Sequence, residues 1–318
     1  MLVSTTAPVA ARRRPGSGLL CLVMSGLLWG TGGLTGSVLS RAAGLSAMSV
    51  AAYRLTVGGA LIVVFLTAKG RRWPANGAAW IRIIGIGLLA ALFQSCYFTA
   101  VALTSVSLAT LVTIGSAPVI VLGADRVMSR RRIGRAAAGT TCLALTGLAL
   151  LVGLPSGGFP ETAVLASAGM AVLAAAGFAA ITLIGTRPVP GLDDLTVTGF
   201  GFTVGGLALM PLAATISGVS FTPDPAAVGL LIALGTGPTA VAYPLYFRGL
   251  RTAAASTAAL LALLEPLTGA ILAALILGDR LGATGIAGAA ILATAVILTA
   301  RTHRQTARAD RPPEADRL

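Results

Sequence analysis

The feature that most constrains this chain is the spacing of its charges. Charged residues make up only 10% of the 318 positions, and they cluster so as to leave ten long stretches with almost none. These run over about 18–38, 47–68, 82–101, 104–123, 134–153, 162–185, 195–216, 226–247, 253–277 and 282–300. About 20 apolar residues at 1.5 Å each cross the ~30 Å hydrocarbon layer of a bilayer. A soluble protein carries about 25% charged residues, whereas this chain is 56% hydrophobic with a mean hydropathy of +0.90. The alternating pattern of barrel strands is absent, so the spans are expected to be helices, which satisfy their own backbone hydrogen bonds in lipid. The predicted fold class is an all-α integral membrane protein with ten transmembrane helices.

The charges also predict an orientation. If the N-terminus is cytoplasmic, twenty of the 23 Lys and Arg residues fall on the inner side. Only Arg41 and Arg280 fall outside, and Arg54 lies within a span. That asymmetry predicts both termini in the cytoplasm. Arg12-Arg13-Arg14 precede the first apolar run as in a signal peptide, but no small-residue cleavage site follows, so the run is read as the first span. The net charge of +13 is distributed between spans, and aromatic residues are 5%, which argues against nucleic-acid binding. Cys21, Cys96 and Cys142 each sit in an apolar run as ordinary free thiols. The single His303 lies near the C-terminus, which excludes His-based triads and HExxH sites. Dinucleotide and phosphate-loop signatures are absent, and no cofactor is implied.

An internal repeat organises the spans. Pro118 and Pro266, Gly134 and Gly282, and Thr104 and Thr252 are all separated by 148 residues. Two five-span halves follow, 18–153 and 154–300, flanked by tails at 1–17 and 301–318 that are expected to be disordered. An odd number of spans per half inverts the second half relative to the first. Such inverted repeats are the common scaffold of alternating-access transporters.

At this point the chain resembles the drug/metabolite transporter superfamily of EamA type. The resemblance rests on Leu28-Trp29-Gly30-Thr31, Tyr53-Arg54-Leu55, Ala117-Pro118, Leu264-Glu265-Pro266 and Gly278-Asp279-Arg280-Leu281, over about residues 18–300. Two departures stand out. Gly-Asp-Arg replaces the usual Gly-Glu-Arg after the ninth span, and Arg131-Arg132 stand where an acid–base pair is common in the first half. The resemblance implies a central cavity surrounded by the first, third, fourth, sixth, eighth and ninth helices.

Several residues inside the spans are candidates for chemistry. Glu265 is the one acid deep in a span, a costly placement unless it is protonated, paired or facing water. It is a candidate for contacting substrate or carrying a proton, against the alternative of a structural carboxylate. Pro118 and Pro266 remove an N–H and release the carbonyls of Ile114 and Ala262, and a structural kink is the favoured reading of both. Arg54 is likewise read as structural, snorkelling outward, capping a helix end or meeting Glu265. Trp29, Gln94, Tyr97, Thr113, Tyr243 and Tyr246 form the candidate substrate lining, although Tyr and Trp also anchor at membrane interfaces. The Gly26/Gly30, Gly32/Gly36 and Gly201/Gly205 spacings are read as close helix packing, and Asp193-Asp194 as a helix cap.

These readings converge on a secondary transporter of the bacterial inner membrane, not an enzyme. It would export or exchange small metabolites, amino acids or drug-like compounds by alternating access. The alternative is a membrane-embedded enzyme acting on a lipid-linked substrate, which would need clustered acids or a nucleophile–base pair. The expected partners are a small-molecule substrate, the lipid bilayer, protons as a candidate coupling ion and a second copy in a candidate homodimer, with no nucleic acid.

Overall fold

The computed structural model describes residues 16–129, 134–153 and 158–309. Among these, ten helices are long and apolar enough to cross a membrane. They are α1 (Gly16–Ala43), α2 (Ala47–Ala68), α3 (Gly77–Leu103), α4 (Val106–Ser129) and α5 (Arg135–Val152), followed by α6 (Glu161–Gly185), α7 (Asp194–Ser217), α8 (Pro225–Leu250), α9 (Ala255–Leu277) and α10 (Ala283–Ala309). No strand occurs among the described residues. Residues such as Val64, Phe65, Ile81, Leu165 and Leu275 are exposed around the outside. An apolar surface this extensive suits lipid rather than water, and the protein is a multi-pass membrane protein.

Local chemistry sets the helix ends. Ser46 and Asn76 accept from the N–H groups of Ser49 and Ala79 at the starts of α2 and α3. Asp193 accepts from the Thr196 N–H at 2.9 Å and caps α7, as expected of that acid pair. Asp224 caps α8, with Pro225 at its first helical position. The Asn76 cap starts α3 at Gly77, ahead of the expected boundary at 82. At the other end, α10 continues to Ala309, so 301–309 are helical where a disordered tail was expected. Arg301 and Arg304 place positive charge towards the negative end of its dipole. The remaining tail residues, 1–15 and 310–318, lie outside the described residues, as do Arg131-Arg132 and the Pro155-Ser156-Gly157 turn.

Two spans are interrupted, and proline is central to both. In α8 the π-helical segment Thr236–Val241 contains Pro238. The ring denies Leu234 its usual donor, and the Thr239 hydroxyl donates to the Leu234 carbonyl instead, at 3.1 Å. In α9 regular helix stops at Leu261 and resumes at Leu264. The Ala262 carbonyl, expected to be freed by Pro266, accepts from the Glu265 N–H at 2.9 Å. The break therefore gives the Ala262 carbonyl a backbone partner in place of the one that Pro266 lacks. By contrast α4 remains continuous through Pro118.

Packing follows a five-span rule. The principal pairs include α2 with α7, α5 with α10, α3 with α6, α4 with α6 and α3 with α7. Advancing each span by five maps the last three onto α8 with α1, α9 with α1 and α8 with α2, which are also in contact. The pairs α2–α7 and α5–α10 map onto themselves. Glycine permits the closest crossings: Gly87 of α3 lies against the backbone of Gly201 and Gly205 in α7, as the Gly201/Gly205 spacing anticipates.

Candidate functional site

Seven of the ten helices line a cavity of ≈ 460 Å³, within the range of small-molecule sites. Its exposed lining residues Arg41, Ala47 and Val106 lie on the face carrying the α1–α2 and α3–α4 connections. Trp29, Gln94, Tyr97, Thr113, Tyr243 and Glu265 all line it. Tyr246 does not: it is buried beneath the wall, its hydroxyl 2.8 Å from that of Thr182. Arg54, expected to be structural, faces the cavity, so α2 joins the six helices that the resemblance implied.

Aromatic rings close the cavity at its deep end. The Trp29 ring centroid lies 4.9 Å from Tyr243, 4.9 Å from Tyr246 and 5.9 Å from Phe178. Phe93 extends the layer, 5.7 Å from Phe178. Trp29 and Tyr246 are only 5% and 1% exposed, so they plug the interior instead of anchoring at an interface. Sequence patterning missed Phe178 and Phe93. A lone large ring in the Ala-rich run before Phe178 was the available signal, since such a ring fills space that its small neighbours leave open.

The polar groups of the wall are unevenly satisfied. Tyr97 hydrogen-bonds through its hydroxyl to Thr110 at 2.8 Å. Trp29 Nε1, Arg54 Nε and Thr113 Oγ1 are shielded from solvent and have no hydrogen-bond partner. Such atoms are rare in folded proteins, because water would otherwise bind them. Arg54 and Glu265 interact electrostatically, yet they form no ion pair among the described residues. Pro118 lies just beyond Ala117 of the wall, and Pro266 beside Glu265. Both prolines therefore lie in helices that present wall residues.

Beyond the aromatic layer, polar ties link the elements on the opposite face. Arg82 of α3 donates to the carbonyls of Ile184 and Arg187 at the end of α6, the latter at 2.8 Å. Asp194 opens α7 and receives Arg251 from the α8–α9 connection, through two nitrogens. Sequence reading counted Arg82 and Arg251 only as charges on one side of the membrane. Their geometry makes them charge-assisted ties between neighbouring elements.

Among the described residues no cluster of His, Cys, Asp and Glu could hold a metal ion. The fold has a close counterpart in a crystal structure with a TM-score of 0.75 at 20% identity, covering 89% of this chain and 98% of that one. The Bacillus subtilis (strain 168) protein named as uncharacterised transporter YwfM is 27% identical, with 90% of this chain and 94% of the relative aligned. The Salmonella typhimurium protein named as uncharacterised inner membrane transporter YicL is 25% identical, over 92% of this chain and 98% of its own length. Both relatives are named as transporters, not enzymes. The model of the EamA-like transporter family matches twice, over residues 16–153 and again over 165–301. With both halves matched and the cavity set between them, this chain belongs to the EamA-like transporter family.

Proposed function

We propose that the protein is a secondary transporter of the bacterial inner membrane that exports or exchanges a small polar compound, such as a metabolite, amino acid or drug-like molecule. The observation that carries this reading is a cavity with unsatisfied polar groups, open on one face and shut on the other by rings and Arg82. In the predicted orientation, with both termini cytoplasmic and the halves inverted, the open face is external. Substrate binds between the halves, and rocking about the α2–α7 and α5–α10 crossings exposes it to the other side. Trp29, Gln94, Tyr97, Thr113, Tyr243 and Glu265 are assigned to substrate binding, with Tyr246 supporting Trp29 from below. Glu265 is also the candidate carrier for a coupled proton. Counter-flow in proteoliposomes over a panel of metabolites, with and without a pH gradient, tests the proposal. Saturable exchange of at least one compound supports it, and flux that never saturates would indicate a passive pore.

The closure at Arg82 yields a second expectation. Replacing Arg82 with Ala removes two charge-assisted bonds to α6, each worth about 1.5–3 kcal/mol when shielded, and less where water competes. The population open on the cytoplasmic side should rise about tenfold. A cysteine at Ile86, with the three native cysteines replaced, then reacts faster with an impermeant maleimide in inverted vesicles. An unchanged labelling rate would show that Arg82 does not hold the inner closure.

A further inference from the structure

Three shielded donors and one acid belong to residues of the cavity wall, and none of them has a hydrogen-bond partner among the described residues. Trp29 Nε1, Arg54 Nε and Thr113 Oγ1 have no partner. Glu265 makes no side-chain hydrogen bond or ion pair with the described residues. Opposite charges inside a membrane ordinarily pair directly, which reduces the cost of removing both from water. Here Arg54 projects from α2 and Glu265 from α9, and both act electrostatically on Tyr243 and Tyr97. The two side chains thus share the cavity wall with those rings without closing into an ion pair among the described residues.

Chemistry that completes this arrangement must carry both signs. An anionic group satisfies the Arg54 guanidinium, whose planar fork suits a carboxylate. A cationic group answers Glu265, with the faces of Trp29 and Tyr243 close enough to favour it. A neutral molecule leaves both charges unpaired, and a singly charged one leaves one of them stranded in a low-dielectric wall. Trp29 Nε1 and Thr113 Oγ1 remain as donors to further oxygen atoms. We infer that the substrate is a zwitterion whose anionic end is held by Arg54 and whose cationic end is held by Glu265. The inference rests on the cavity being the transport site. It assigns Arg54 to substrate recognition, beyond the structural role that sequence suggested.

The test uses the purified full chain in proteoliposomes. The compounds are alanine, leucine, phenylalanine and glycine betaine, each set beside the amine lacking its carboxylate and the acid lacking its amino group, with neutral sugars as a further set. At least one zwitterion should show saturable counter-flow, with half-saturation about tenfold or more below both of its analogues, as expected when a charged hydrogen bond is lost. Arg54→Gln should erase the advantage over the amine, and Glu265→Gln the advantage over the acid. Arg54→Lys, which keeps the charge without the fork, should retain part of the advantage. Size-exclusion profiles show that each variant remains folded, and Arg54→Lys serves if Arg54→Gln does not. Saturable exchange confined to singly charged or neutral compounds overturns the zwitterion inference but leaves the transporter reading standing. An advantage over the amine that survives Arg54→Gln also overturns it. If no compound of any charge shows saturable exchange, both readings fall.

Discussion

Glu265→Gln is expected to lower exchange flux by about one to two orders of magnitude and to abolish any stimulation by a pH gradient. The change is nearly isosteric, and the Glu265 side chain makes no hydrogen bond within the described protein that the amide would forfeit. Folding should therefore be little affected, and the loss should fall on function. A charge-assisted contact to substrate is worth about 1.5–3 kcal/mol, and each 1.4 kcal/mol corresponds to tenfold in affinity. An amide also cannot carry a proton through the cycle, so flux should become indifferent to pH across the range where the carboxylate titrates. The check is counter-flow and gradient-driven uptake, measured side by side on the variant and the parent. Flux within twofold of the parent, with the same pH profile, would remove Glu265 from the transport path.

Gly87→Leu is expected to prevent accumulation of folded protein. A Cβ at Gly87 would overlap the Gly201 carbonyl oxygen and crowd the Gly205 nitrogen, and a Cβ at Gly205 would meet the Gly87 carbonyl in turn. Both obstacles are backbone, which cannot rotate away, so α3 and α7 must move apart. Overpacking costs typically 1–3 kcal/mol in soluble cores. In lipid the separated helices gain nothing in hydrophobic burial to offset the lost contact. Gly85, two residues earlier, faces open space, so Gly85→Leu provides the control. Yield and monodispersity in detergent should collapse for the first variant and hold for the second. Equal behaviour of the two would mean that the α3–α7 crossing does not limit stability.

The parts legible in sequence were those governed by one-dimensional physics. Hydrocarbon thickness fixes a minimum run length, so the spans emerged from Leu, Ala, Val and Ile content alone. The 148-residue offset between Pro118 and Pro266 paired the fourth span with the ninth, and the family model matches both halves. Helix ends were less legible, because a cap such as Asn76 can start a helix before the apolar run begins. The π segment at Pro238 was invisible for a related reason: apolarity continues through it while the backbone changes. In the cavity, the lone acid Glu265 declared itself by cost. Arg54 was harder to read, since an arginine near a membrane face has several inexpensive fates. Only the placement of α2 against the cavity, with the Arg54 Nε unmatched, distinguishes among them.

The interruptions in α8 and α9 have no counterpart in α3 and α4. Two identical inverted halves would give a cycle with twin end states of equal energy, each the image of the other. Placing the breaks in one half, together with a π segment at Ala273–Leu277, would remove that degeneracy. One half thus has helices broken at Pro238 and at Ala262–Leu263 where the other has an unbroken pair. In such a cycle the two end states would differ in energy before any substrate or gradient acted. For a transporter that alternates as proposed, the empty protein would then rest with one face open in preference to the other.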